Sequence, residues 1–261
     1  MWLASPGATA LLATCAVLAM TPLVIRAARY WEWVDYPNKA RWHSRPVALM
    51  GGIGIVAALV LTLLLTGSGA AFSWPVWMGM GLIFFAGLVD DVWALRPEVK
   101  LVLQIISTTL LLYAGLAFWR GGPFWVSVPL TFLWVIGVTN AFNLIDGMDG
   151  LASGIAAIAA SVLGGLAWMT GNVEIAMVAG AVAGATTGFL VFNFNPARIF
   201  MGDCGSMTLG YVLAVMAMSV QGSGGPVAAT LAPVVVLAVP DRKSTRLNSS
   251  HVCSSRMPSS A

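Results

Sequence analysis

The sequence predicts an all-α fold, a polytopic integral membrane helical bundle, and three observations carry that prediction. Of 261 residues, 59% are hydrophobic and only 9% are charged, where a soluble domain carries about 25% charged residues. The charges leave long uncharged runs at 1–25, 46–89, 101–119, 121–145, 150–173, 175–197 and 204–240, and one membrane-spanning helix takes about 20 apolar residues. The cations, finally, gather on alternate loops.

Two of the runs exceed a single span. The 46–89 run breaks at "TGSGAAFS" and the 204–240 run at "QGSGG". About nine helices result, at 7–25, 47–66, 75–91, 100–118, 124–140, 151–169, 174–192, 206–220 and 226–240, each satisfying its own backbone polar groups. The first run lacks a basic flank and is the first helix rather than a secretory signal. Numbered in order, the odd-to-even loops hold Arg26, Arg29, Lys39, Arg41, Arg45, Arg96, Lys100 and Arg198, and the opposite loops hold Arg120 alone. By the positive-inside rule the crowded side is cytoplasmic and the N-terminus lies outside. The split also supports the helix count, because one missed span would scramble the alternation.

Asp90, Asp91, Asp146, Asp149 and Asp203 follow the cations to the cytoplasmic side, and Glu174 is the one acid opposite. Cys15, Cys204 and Cys253 show neither metal nor redox spacing. The formal charge of +3 points to no nucleic-acid partner. After Pro240 the chain turns polar and serine-rich, "DRKSTRLNSSHVCSSRMPSSA". One reading is a disordered cytoplasmic tail. The preferred one is translated adapter or vector sequence, which leaves 1–240 as the transmembrane domain and sets 241–261, His251 included, aside.

The carboxylates demand a reason to be there. Asp90 and Asp91 end a span, where the helix dipole already disfavours anions, so a solvated "DD" is the plain reading until the other clusters are added. In "NAFNLIDGMDGLASG" (140–154), Asn140 and Asn143 share a helix face at i, i+3, and Asp146 and Asp149 repeat that spacing, each before a glycine. In "FNFNPARIFMGDCGSMTLG" (192–210), Asp203 lies between Gly202 and Gly205-Ser206; Ser206 is expected to cap the next helix, whose N-terminus favours phosphate. The basic loop "DYPNKARWHSRPVALMGG" (35–52) carries Lys39, Arg41, His43 and Arg45. Topology alone is its default explanation, with phosphate contact as the functional one. Together these supply oxygen ligands, cations and an anion-friendly turn on one side of a membrane, the inventory for a hard divalent cation and a phosphorylated ligand.

Four stretches in order, "DYPNKARWHSRPVALMGGIGI", "GLVDDVWALRPEVKLVLQ", "NAFNLIDGMDGLASG" and "NPARIFMGDCGSMTLG", resemble the polyprenyl-phosphate N-acetylhexosamine-1-phosphate transferases (glycosyltransferase family 4). The "DDVWALRPEVKLVLQ" spacing is closer to the undecaprenyl-phosphate GlcNAc-1-phosphate branch than to phospho-MurNAc-pentapeptide transferase. The resemblance covers about 35–240.

It implies that undecaprenyl phosphate attacks a UDP-N-acetylhexosamine, with UDP-GlcNAc favoured, to give undecaprenyl-diphospho-sugar and UMP in the bacterial inner membrane. It further implies Mg²⁺, with Mn²⁺ as a substitute, held by Asp203 with Asn143. Asp90 and Asp91 would deprotonate or position the acceptor phosphate. Lys100 would neutralise diphosphate charge, supported by Gln104. Asn140, Asp146, Gly147, Asp149, Gly202 and Ser206 would form the nucleotide-sugar site. Phe200 reads equally as a uracil stack or a membrane-facing side chain. Family members that dimerise bring in a homodimer. The family also carries a histidine-rich motif after the ninth span and one or two further helices, ten or eleven in all. Neither His43 nor His251 is that motif, so the chain as written is expected to be truncated and inactive. The rival class is an ion-coupled transporter, but transporter acids lie near the midplane of broken helices, and these lie at helix ends.

Overall fold

The computed structural model describes residues 5–35 and 46–220. Eight α-helices run through them: α1 (Pro6–Tyr30), α2 (Gly51–Thr66), α3 (Trp74–Trp93), α4 (Pro97–Tyr113), α5 (Phe124–Ile145), α6 (Leu151–Met169), α7 (Val173–Asn193) and α8 (Asp203–Val220). Six of them are long and apolar enough to cross a membrane, and α2 is a shorter apolar helix. The protein is a multi-pass helical membrane protein. Of the nine expected spans, 226–240 lies outside the described residues, as does the 241–261 tail.

Local chemistry sets the boundaries. Pro6 opens α1 behind Ser5, whose hydroxyl accepts from the Ala8 N–H at 3.2 Å, a filled N-cap with proline in the first turn. The fourth span was expected to reach 118 but stops at Tyr113. Gly115 adopts φ 75°, and the N–H groups of Gly115 and Leu116 donate back to the carbonyls of Leu112 and Leu111 at 3.0 and 2.9 Å. That paired closure requires a residue at positive φ and ends the helix. The second span was expected from 47, but Val47–Ala48 is a short strand, β2, antiparallel to β1 (Val34–Asp35) with Val34 opposite Ala48. The helix begins only at Gly51, after Met50 turns through φ 65°. The fifth span runs to Ile145 rather than 140, so both asparagines lie inside α5.

Helix α8 is the axis of the bundle and is buried along almost its whole length. It packs between α3 and α5, with α2, α6 and α7 also against it, while α1 and α6 cover α7. The α1–α7 contact uses small residues at four-residue spacing. Side chains at Gly180 or Gly184 would run into the backbone of Pro6 or Ala10, and Gly188 meets Thr14. Thr9 and Thr14 then donate across to the carbonyls of Met177 and Gly184, both at 3.0 Å. Close backbone approach with interhelical hydroxyl bonds is how helices associate where lipid removes the hydrophobic drive. The outer surface shows Leu11, Leu64, Trp74, Phe85, Leu133 and Ile158, an apolar face suited to hydrocarbon and far larger than a soluble monomer exposes. The ends of α3, α5 and α7 meet the starts of α4 and α8 at one end of the bundle.

Candidate active site

Asp90 and Asp91 lie in the last turn of α3. Neighbours on a helix diverge by about 100°, so the two carboxylates face different partners. Asp90 accepts the Leu95 N–H on Oδ1 at 2.6 Å and the Lys100 ammonium on Oδ2 at 2.5 Å. Lys100, in the first turn of α4, also reaches Asp203 Oδ2 at 2.8 Å. One lysine thus bridges two carboxylates from two helices. All three side chains are sheltered, 12–25% exposed, and Coulomb interactions are stronger there than in water.

Asp91 turns to the start of α8. Its Oδ1 accepts the Asp203 N–H at 2.7 Å and its Oδ2 the Cys204 N–H at 3.1 Å. The next two N–H groups, of Gly205 and Ser206, donate to the Gly202 carbonyl at 3.1 and 3.0 Å. All four donors of the first turn are therefore engaged within the protein. The expected open phosphate cradle at this helix start is not present: the anion that fills it is Asp91. The expected cap by Ser206 is also corrected. The helix begins three residues earlier, at Asp203, and Ser206 is buried inside its first turn, where its hydroxyl accepts from Asn143 Nδ2 at 3.2 Å.

Asn140 and Asn143 share a face of α5, as their spacing predicts. Asn143 reaches Ser206 and also bonds the Asp203 side chain. Asn140 instead forms a reciprocal amide pair with the buried Gln104, at 3.1 and 3.0 Å, and donates to the Ile136 carbonyl at 2.9 Å. It locks α4 to α5 one turn behind Lys100. Asp146 terminates α5. The residue keeps some solvent access, but burial of its carboxyl pushes its pKa well up, Asp203 and Asp91 add to the rise, and a Gly202 backbone hydrogen bond opposes it. Gly147 is exposed in the following turn. Asp149 accepts Asn195 Nδ2 at 3.0 Å and the Ala197 N–H at 3.1 Å on one oxygen, bracing the loop that leads to Asp203.

That loop is held at both ends. Buried Asn193 accepts from Ser153 Oγ at 2.9 Å and the Gly150 N–H at 3.2 Å, and donates to the Ile199 carbonyl at 2.9 Å. Ile199 bridges Ala48 in parallel. The Phe200 N–H donates to the Ala48 carbonyl at 2.8 Å, and the Phe200 and Met201 carbonyls accept from Gly51 and Gly52 at 2.8 and 2.7 Å. Phe200 is half-buried. Lys39, Arg41, His43 and Arg45 lie outside the described residues. Among the described residues, no group of three His, Cys, Asp or Glu side chains is arranged to hold a metal. Asp203, Asp90 and Asn143 do offer an oxygen-only set, which suits a hard cation that keeps room for water or phosphate.

The model for glycosyl transferase family 4 matches residues 73–221, from the start of α3 to the end of α8, a stretch that holds Asp90, Asp91, Lys100, Asn143 and Asp203. The chain belongs to glycosyl transferase family 4. A probable undecaprenyl-phosphate N-acetylglucosaminyl 1-phosphate transferase of Bacillus subtilis (strain 168) is 34% identical over 234 residues, 86% of this chain and 65% of that protein. A phospho-N-acetylmuramoyl-pentapeptide-transferase of Levilactobacillus brevis is 32% identical over 231 residues, 77% of this chain and 71% of its own length. One from Halalkalibacterium halodurans is 47% identical over 94 residues, 36% of this chain and 29% of its own. The chain thus spans just under two thirds of the Bacillus relative.

Within this family 4 site, sequence reasoning missed Asn193, Gly52 and Gly87. A side chain at Gly52 would strike the Gly205 backbone, and one at Gly87 would lie 2.6 Å from the Asp203 carbonyl. The signal was the doubled glycine of "MGG" and the repeated asparagines of "FNFNP". Nothing local distinguished these from ordinary membrane glycines and loop amides.

Proposed function

We propose that the protein transfers N-acetylhexosamine 1-phosphate from a UDP-sugar, UDP-GlcNAc first, to undecaprenyl phosphate on the cytoplasmic face of a bacterial inner membrane. The observation that carries this reading is the Lys100 ammonium held between Asp90 and Asp203, beside Asn143, at the end of the bundle where the charged loops gather. A lipid-borne phosphate reaches a site at that depth, which a soluble substrate pair would not require. An oxygen of the lipid phosphate bonds to the sugar-bearing phosphorus as that phosphorus loses its bond to the UMP oxygen. Asp90 positions the acceptor phosphate and takes its proton; Lys100 neutralises the charge that develops on the diphosphate. Asp203 and Asn143 would hold Mg²⁺ or Mn²⁺, which supplies further charge neutralisation when bound. Asp146, Asp149, Gly147, Gly202 and Phe200 border the nucleotide side.

The same chemistry serves transfer of phospho-MurNAc-pentapeptide from its UDP donor to undecaprenyl phosphate, a second reading favoured by the 47% identity over 94 residues. The test is an assay in membranes with undecaprenyl phosphate, Mg²⁺ and either radiolabelled UDP-GlcNAc or UDP-MurNAc-pentapeptide. Label is expected to enter lipid from UDP-GlcNAc with stoichiometric UMP, and to stop with EDTA or Asp203→Asn. Transfer from the pentapeptide substrate alone selects the second reading. No transfer from either returns the case to a transporter.

A further inference from the structure

We infer that Asp91 is a positioning residue rather than a proton acceptor: its carboxylate is the N-cap of α8, supplied from another helix, and it sets the position of Asp203. This rests on the proposed reaction for its kinetic consequences but on geometry for its substance. Both oxygens of Asp91 are spent on the first two N–H groups of α8, at 2.7 and 3.1 Å. Two backbone donors and the positive end of the helix dipole offset part of the cost of burying this carboxylate. The Cys204 side chain also bonds this carboxylate, so its third partner belongs to the same turn of α8.

The surrounding glycines fit the same design. Gly87 lies four residues before Asp91, so the two share one face of α3. A Cβ at Gly87 would fall 2.6 Å from the Asp203 carbonyl carbon and oxygen and the Cys204 Cα. Gly202, at φ 76°, occupies a conformation that favours glycine, and a Cβ there would meet the Asp91 carboxylate at 2.7 Å. The α3 face is thus a socket, with Gly87 admitting the α8 backbone and Asp91 tying it down. Asp90, one residue earlier, points instead to Lys100 and the Asp203 side chain. Adjacent carboxylates divide the labour: one holds the backbone of Asp203, and the other shares its lysine.

The division is tested on the full chain in nanodiscs, with Asp91→Asn, Asp90→Asn and Gly87→Ala. Amide hydrogen exchange is followed over 200–212, and kcat, KM and the pH–rate profile from UMP release. An asparagine keeps one acceptor and turns a donor toward the other N–H. Exchange at the start of α8 is then expected to quicken about tenfold, and kcat to fall about 10–100-fold through displacement of Asp203. KM for the UDP-sugar stays within about threefold and the acid limb of the profile stays in place, since no proton acceptor is lost. Gly87→Ala is expected to reproduce the kcat loss and the unmoved limb with Asp91 intact, and it carries the test if Asp91→Asn does not fold. Unchanged exchange in Asp91→Asn, or an acid limb that disappears in Asp91→Asn and persists in Asp90→Asn, overturns the inference. If the wild type releases no UMP, the proposed reaction fails, and the exchange measurement still decides the cap.

Discussion

At the residue scale, the site as formed by the described residues is short of positive charge. Lys100 serves both Asp90 and Asp203, with Asp146 close enough to feel Asp203 and Asp91. Removing the lysine leaves two sheltered carboxylates facing each other, a change that costs more than the loss of a surface pair. Lys100→Met is expected to lower kcat by at least about 100-fold, and Lys100→Arg not to restore it, because a planar guanidinium cannot replace a compact ammonium between two carboxylates; UMP release measures both. Asp146 gives a prediction of opposite sign for stability. Its raised pKa means the folded state holds the proton more tightly than the unfolded chain. The ionised group therefore costs stability as pH rises above the unfolded value, and the cost is complete above the folded one. Asp146→Asn is expected to melt higher than wild type near pH 8 in metal-free detergent, and at the same temperature near pH 3, while losing transfer activity. A lower melting temperature near pH 8, shrinking toward pH 3, would show instead that the carboxylate is held as a structural anion.

At the scale of elements the decisive contact is the seat of α8. Glycines on α2 and α3 let its first turn approach their backbones, and Asp91 caps it. Gly52→Ala places a methyl against the Gly205 backbone, with Cys204 Sγ at 2.7 Å, where no flexible side chain can move aside. Overpacking of this kind costs about 1–3 kcal/mol. A clear drop in melting temperature is expected, against none for Gly81→Ala on α3, whose added methyl meets nothing within 4 Å. Equal behaviour of the two variants would mean that α8 is not seated as described. The α1–α7 contact works by the same rule further from the chemistry, so a bulky residue at Gly184 should loosen the bundle without touching Asp203.

At the scale of the whole molecule, the proposed reaction requires helix direction and loop charge to put the site on the side that meets the nucleotide. The ends carrying Asp90, Lys100, Asp146 and Asp203 converge, and the sequence assigns the cations of the odd-to-even loops to the same side of the membrane. A cysteine in place of Arg120 is expected to react with an impermeant maleimide from outside intact cells. A cysteine in place of Arg96 should react only after permeabilisation. The reverse pattern would invert the topology and remove the cytoplasmic nucleotide pool from reach of the site.

Much of this protein could be read from its residues alone. The membrane class, the approximate spans and the gathering of acids at one end followed from uncharged run lengths and loop charges, because hydrocarbon imposes those patterns on any chain that crosses it. The i, i+3 asparagines followed from helix geometry. Division of labour within the clusters did not. Asp90 and Asp91 are indistinguishable as a dipeptide, and only the approach of α8 gives one a backbone to cap and the other a lysine. Asn140 and Asn143 look equivalent until α4 claims the first and α8 the second. Asp149 shows no structural partner in the sequence, and only the fold brings the 195–197 loop onto one of its oxygens. Glycine seats are silent in sequence because a missing side chain matters only when another backbone occupies its place. Sequence determined which groups lie at this end of the membrane, since burial and charge act along the chain. Tertiary structure decided which group touches which, since hydrogen bonds between helices depend on approach distances that no local pattern encodes.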